Sequence, residues 1–269
     1  MRKLVLAAAL LALAVPAASS AAVERSVAMK FNRLTPTFRV ALVGDTVRWT
    51  NSESTTTIHN IVGSFGSSGE MLPGTSWVSA PFGAPGSYSY VCTHHPATMR
   101  GTVFVDDLYL SGPTAVLRHG AAARFTGYAP ESQQVVMLRN GTQVGSTTAG
   151  ADGAFSITVP MATPGTYQAV AGAAQSSARV RVRPRLGISA RRSGRRLVVT
   201  VAATPSQARA RVVVERRQGS RWVRLARGRL NSSSKATFRV ARRAMQLRAR
   251  TTSAVGGYER ATSRTIRVR

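Results

Sequence analysis

The sequence of 269 residues contains little of several residue types. It has one cysteine, so no disulfide can form within the chain. Its longest apolar run, Leu4 to Val15, is shorter than the roughly 20 residues that a transmembrane helix needs. No segment shows a 3.6-residue apolar period over a helical length. These shortages exclude a disulfide-stabilised scaffold and argue against a helical bundle or a membrane-spanning helix.

The N-terminus has the features of a secretory signal peptide. Arg2 and Lys3 precede the apolar run, and small residues follow it up to Ala22. We predict that residues 1–21 are a cleaved signal. The mature protein is then expected to be secreted or to lie in the cell envelope or periplasm, with no membrane anchor after cleavage.

Charge is distributed unevenly along the chain. Basic and acidic residues number six and six in 22–107, seven and two in 108–185, and twenty-two and two in 186–269. The last segment therefore carries most of the net charge of +27. We predict three domains with these boundaries, the third of them basic and rich in arginine.

The segments after residue 21 have the pattern of short strands between turns. Apolar side chains alternate with polar ones in 38–42 and 88–91, and turn residues separate these stretches. Asn140–Gly141 supplies the positive φ of a type I′ hairpin, and residues 218–220 separate two further strands. The sequence therefore predicts an all-β protein: a β-sandwich in 22–107 followed by two immunoglobulin-like or fibronectin-like sandwiches.

The single cysteine raises a specific question. An unpaired exported thiol is a buried apolar filler, an intermolecular crosslink or a metal ligand. The neighbours of Cys92 favour the last, because "YVCTHHPATM" places His95 and Met99 within seven positions of it. A type 1 copper site uses two imidazoles and one thiolate, with a weak axial thioether. One short loop thus supplies three of the four ligands.

The remaining imidazole must come from an earlier histidine, and the only one is His59 in "TTTIHNIVG". With "LTPTFRVALVGDTVRWTN", "GEMLPGTSW" and "PGSYSYVCTHHPATMRGTVFV", the chain resembles the cupredoxins of the plastocyanin, amicyanin and pseudoazurin group over residues 25–106. The resemblance implies a Greek-key sandwich with one copper ion. The implied copper ligands are His59, Cys92, His95 and Met99.

The same resemblance assigns roles to residues around the ligands. It implies that Asn60 ties the first ligand segment to the cysteine loop, through Thr93. Such contacts orient the ligands and tune the metal. The C-x-x-H spacing favours His95 over His94 as the second imidazole, and His94 is then expected at the surface beside the site.

The resemblance implies an exported electron carrier and not an enzyme. A multicopper oxidase would need a trinuclear copper cluster, which four histidines cannot build. Two alternatives stay open: a protein that binds or sequesters copper at the cell envelope, and an adhesion module whose copper site is incidental. A carrier would exchange electrons with soluble or envelope redox partner proteins.

The basic third domain predicts a different kind of partner. A net charge of about +20 attracts polyanions through counterion release and long-range steering. Outside the cell these would be anionic wall polymers or a lipid surface. We expect no nucleic acid partner, because the sequence has no nucleic-acid-binding motif. The alternative interpretation is a solvated face of an arginine-rich chain.

Overall fold

The structure is a computed structural model that describes residues 22–253 and 255–268. The predicted signal, residues 1–21, lies outside the described residues. The described part consists of 25 strands and contains no helix, which confirms the all-β prediction. Accordingly, it has no helix long and apolar enough to span a membrane.

Strands β1–β9 form the first strand group, which supports the candidate site. Their bounds are β1 Glu24–Lys30, β2 Arg33–Thr35, β3 Phe38–Leu42, β4 Thr46–Asn51, β5 Val62–Gly63, β6 Gly66–Ser67, β7 Ser76–Val78, β8 Gly86–Val91 and β9 Arg100–Asp106. One sheet has the order β2-β1-β4-β7 and the other β3-β9-β8-β5-β6. β1 pairs with β4 in parallel, as β3 does with β9.

The two sheets enclose an aromatic core centred on Trp49. In β4 the inward positions 47, 49 and 51 are buried and alternate with half-buried outward positions, as the two-residue period of a strand requires. The Trp49 ring contacts the rings of Phe65, Trp77 and Tyr90 at centroid distances of 5.2–5.5 Å. This packing holds together the strands that lead into the site.

Strands β10–β18 form the second strand group. They are β10 Tyr109–Ser111, β11 Leu117–Arg118, β12 Ala123–Tyr128, β13 Gln134–Arg139, β14 Thr142–Thr148, β15 Ala154–Val159, β16 Gly165–Ala171, β17 Ala174–Val180 and β18 Val182–Arg183. A three-stranded sheet, β10-β12-β15, and a four-stranded sheet, β14-β13-β16-β17, supply the buried side chains of one core. The predicted hairpin is confirmed, because Asn140 and Gly141 have φ of 50° and 77° between β13 and β14.

Strands β19–β25 form the third strand group. They are β19 Arg185–Ser193, β20 Arg196–Thr204, β21 Arg211–Gln218, β22 Arg221–Arg229, β23 Lys235–Ala241, β24 Met245–Thr251 and β25 Ile266–Val268. Their sheets are β19-β20-β23 and β22-β21-β24-β25. Each of the three groups has its own core cluster. The domain boundaries and the immunoglobulin-like assignment remain predictions.

Arg25 joins the first strand group to the second. It is buried, its Nε donates to Asp45 Oδ2 at 2.9 Å, and its Nη1 donates to the Asp152 carbonyl at 2.8 Å. Its guanidinium also lies 4.4 Å from the centre of the Tyr128 ring. Asp45 precedes β4, whereas the residues after β4 lead toward His59, so the second group contacts the end of the sandwich away from the candidate site.

Glu215 is a buried carboxylate on β21 of the third group. Arg248 Nε and Arg250 Nη2 donate to it at 2.7 and 3.0 Å. Burial by itself raises the pKa of Glu215, but the hydrogen bonds and charges of these two arginines outweigh burial. The pKa of Glu215 therefore lies below its ordinary value of 4.5.

Replacing Glu215 by Gln should destabilise the protein by about 1–3 kcal/mol at neutral pH, because two guanidiniums lose a charged partner. Since folding lowers this pKa, its stabilisation is present above the unfolded value and is lost as the pH falls through the lower folded value. In urea unfolding measured from pH 7 down to pH 3, the difference in unfolding free energy between the wild type and the Glu215→Gln variant should become smaller. A pH-independent difference would contradict the ion-pair assignment.

Candidate metal centre

Two segments from different parts of the chain meet at one end of the first strand group. The first carries His59 and pairs with Met71 through two backbone hydrogen bonds, His59 N to Met71 O and Met71 N to His59 O. The second runs from Cys92 to Met99, between β8 and β9. The Asn51 side chain, at the end of β4, fixes the first segment by donating to the carbonyls of Thr57 and Met71.

The second segment is a compact loop closed on itself. Cys92 N donates to Met99 O at 2.9 Å, and Met99 N donates to His95 O at 2.9 Å. His95 N also donates to Cys92 O. Cys92 and Met99 are fully buried in the same core cluster. These bonds fix the spacing of the cysteine, the histidine and the methionine along the loop.

Three donor atoms converge at this end of the sandwich. Cys92 Sγ lies 3.8 Å from His59 Nδ1 and 3.9 Å from His95 Nδ1. One ligand atom from each of the three residues lies within 4.8 Å of the other two. A metal bound at about 2.3 Å from sulfur and 2.0 Å from nitrogen in a trigonal plane separates those ligand atoms by about 3.7 Å. The observed spacing fits a single ion.

The donor set also fits copper chemically. Thiolate with two imidazoles suits copper, and His₂Cys with an axial methionine is the ligand set of a type 1 site. The structure groups His95, not His94, with His59 and Cys92. His94 instead lies at the surface, with its Nε2 3.7 Å from Glu70 Oε1. The assignment of Met99 as axial ligand remains a prediction.

Asn60 connects the two segments directly. Its Nδ2 donates to Thr93 Oγ1 at 2.7 Å, and its Oδ1 accepts from Thr93 N at 2.7 Å. The backbone N of Asn60 also points to Cys92 Sγ at 3.5 Å. This N–H is a third contact between the two segments, and it reaches a ligand atom directly. The structure thus contains the contact that the resemblance implies for Asn60 and Thr93.

Glu53 is a site residue that the sequence analysis missed. Its Oε1 lies 3.3 Å from His59 Nε2 and accepts from Asn32 N at 3.1 Å, and its side chain is 7% exposed. Burial raises the pKa of Glu53, but hydrogen bonds from the Asn32 backbone and the His59 ring leave it below the ordinary value. The ionised carboxylate therefore holds the proton of His59 on Nε2, which leaves Nδ1 free for a metal.

His95 is the more accessible of the two imidazoles. His59 is fully buried, whereas His95 is half-buried. Burial of its ring lowers the pKa of His95, and the nearby His59 and His94 lower it further. A neutral imidazole keeps the lone pair that a metal needs. The site thus has a buried side at His59 and Cys92 and a side toward solvent at His95.

No family model matches the chain. The chain is 38% identical over 125 residues to amicyanin-alpha from Methylorubrum extorquens, which covers 39% of this chain and 100% of that protein.

Solved structures are also similar to part of the chain. A purple cupredoxin from Nitrosopumilus maritimus is 24% identical, with 30% of this chain and 98% of that chain covered and a TM-score of 0.27. An amicyanin mutant in the Cu(I) state is 26% identical, with 31% and 82% covered and a TM-score of 0.28.

Replacing Glu53 by Ala should weaken Cu(II) binding about 10- to 100-fold, because the His59 ring loses the acceptor that fixes its orientation. Glu53→Gln, whose amide oxygen accepts the same hydrogen bond, should retain most of the affinity. Competition titration against a chelator measures both. Glu70→Ala removes the same charge from an exposed residue and is the control. Equal effects of the Glu53→Ala and Glu70→Ala variants would contradict the positioning role.

Proposed function

The chain belongs to the amicyanin family of cupredoxins, and we propose that it is a single-electron carrier that holds one copper ion with His59, Cys92, His95 and Met99. The observation that carries the proposal is the convergence of His59, Cys92 and His95 in a protein of this family. Export from the cytoplasm, predicted from residues 1–21, is part of the proposal.

A copper ion held by these residues would supply one-electron chemistry between the Cu(I) and Cu(II) states. The protein's contribution is a ligand set that does not move when the charge of the site changes. Buried Glu53 fixes the His59 ring, and Asn60 fixes the cysteine loop through Thr93. Since little rearrangement accompanies the electron, the barrier to its transfer is low.

The arrangement supports exchange with a partner at the His95 side. His59 and Cys92 are fully buried, whereas the His95 imidazole is half-exposed. The second strand group meets the sandwich through Arg25, near the start of β4. That contact lies away from the His95 side, and we propose that electrons enter and leave at His95.

We expect Cu(II) to give the purified protein the intense thiolate-to-copper absorption of a blue site. Cys92→Ser should abolish that band, because the sulfur supplies the transferred electron density. His95→Ala should lose or strongly alter the band, whereas His94→Ala should keep it. His94 and His95 are adjacent, so the His94→Ala variant is the control for the His95→Ala variant when their visible spectra are compared. A colourless complex of the wild-type protein would contradict the proposal.

Electron exchange separates a carrier from a protein that only sequesters copper. A carrier should be reduced and reoxidised repeatedly by a small redox mediator, with fast self-exchange between Cu(I) and Cu(II) forms in NMR line broadening. Asn60→Ala should slow self-exchange, because the cysteine loop loses two hydrogen bonds to the His59 segment. Slow exchange in the wild-type protein, with Cu(I) retained and not reoxidised, would favour sequestration.

A further inference from the structure

The third strand group presents a face composed mainly of arginine. In the sheet β22-β21-β24-β25, the pairs Arg211–Arg229, Val213–Arg227 and Glu215–Arg224 lie opposite each other across β21 and β22. Val212 and Val214 are buried in the core, so the alternate positions point outward. On the other side of β21, Arg248 and Arg250 lie opposite Glu215 and Val213. We call this outward side the arginine face; its arginines are Arg211, Arg217, Arg224, Arg227, Arg229, Arg248 and Arg250.

Part of this charge is already neutralised or packed. Glu215, the one acidic residue of these strands, pairs with Arg248 and Arg250. The guanidiniums of Arg217 and Arg248 lie 5.6 and 4.3 Å from the centre of the Trp222 ring. These contacts account for three of the seven arginines.

The other four arginines have no such partner. The side chains of Arg211, Arg224, Arg227 and Arg229 are exposed and make no hydrogen bond or ion pair with other residues of the described chain. They line one groove of about 490 Å³, whose floor includes Val213 and Gly228. A groove walled by four uncompensated positive charges is complementary to an anion.

The spacing of these arginines suits an extended ligand. Alternate residues along a strand are about 6.8 Å apart, and opposite residues on neighbouring strands about 5 Å. Arg227 and Arg229 are alternate residues on β22, and Arg211 lies opposite Arg229. Guanidinium groups form bidentate hydrogen bonds with phosphate oxygens, a geometry that lysine cannot match.

We propose that the arginine face binds an extended polyanion carrying phosphate groups, through Arg211, Arg224, Arg227 and Arg229. Bound phosphates neutralise guanidiniums that otherwise repel one another, and counterions are released. This binding goes beyond electron transfer and does not depend on the copper site. It would hold the protein on an anionic polymer while the copper domain faces its redox partners.

The face lacks the features that other polyanionic partners require. Surface helices and loops that insert into a lipid bilayer expose large apolar side chains, but Val223 is the only exposed large apolar residue of the described third group, and it is paired with Arg216, away from the groove. Single-stranded nucleic acids are bound by stacking on free aromatic rings. Trp222 is half-buried and is contacted by two guanidiniums.

The test compares two double variants of the full-length mature protein. Arg227→Gln with Arg229→Gln removes two charges from the groove. Arg191→Gln with Arg239→Gln removes two exposed charges from β19 and β23 of the opposite sheet. Binding to fluorescently labelled long-chain polyphosphate is measured by anisotropy over a series of salt concentrations. Unchanged thermal unfolding of both variants shows that they fold.

We expect polyphosphate binding whose log affinity falls linearly with log salt. The groove variant should lose roughly tenfold or more in affinity and about two units of the salt slope, and the control variant should lose much less. Equal losses in both variants would show attraction by net charge alone and overturn the proposal. So would equal or tighter binding to a polyuronate, to single-stranded DNA or to vesicles of phosphatidylglycerol and phosphatidylcholine.

Discussion

The contact between Asn60 and Thr93 is the interaction on which the candidate metal centre depends. His59 and Cys92 are separated by 33 positions, and the strand pairing beside them is that of Val62 with Val91, where β5 begins and β8 ends. Two hydrogen bonds of 2.7 Å between Asn60 and Thr93 join the segments next to both ligands. Because the Asn60 amide group bonds both the side chain and the backbone of Thr93, it fixes distance and orientation together.

The aromatic core positions the two segments that Asn60 and Thr93 connect. Trp49, on β4, packs against Tyr90, two residues before Cys92, and the end of β4 carries Asn51, which holds the His59 segment. The buried side chains of two strands therefore determine where both ligand segments begin. Glu53 then fixes the orientation of the His59 ring through its contact with Nε2.

Charged side chains are paired near the candidate metal centre, whereas most of those on the arginine face are unpaired within the described residues. Around the ligands two carboxylates pair with histidines: Glu53 with His59, and Glu70 with His94. On the arginine face, Glu215 is the one carboxylate among seven arginines, and it pairs with two of them. Paired charges give a site of fixed geometry, whereas uncompensated charges on a flat sheet give affinity for a polyanion outside the molecule.

Local sequence patterns predicted much of the secondary structure and part of the candidate ligand set. The two-residue period predicted strands, Asn140–Gly141 predicted a hairpin, and the loop from Cys92 to Met99 placed a thiol, an imidazole and a thioether at short spacing. His59 followed by elimination, because it is the only histidine before Cys92, whereas Asn60 required the family resemblance, because no local rule relates residue 60 to residue 93. The resemblance could not supply Glu53, since an acidic residue in a polar turn has no distinguishing pattern.

The sequence by itself therefore determined the element type, the ligand types and the location of the charge. Only the tertiary structure decided which atoms meet. The side-chain period along a strand is local, but the approach of Glu53 to His59, or of Arg229 to Arg211, depends on how loops fold back and how strands align. Those contacts arise from long-range packing around Trp49 and from the register of β21 with its neighbours, which sequence spacing alone does not encode.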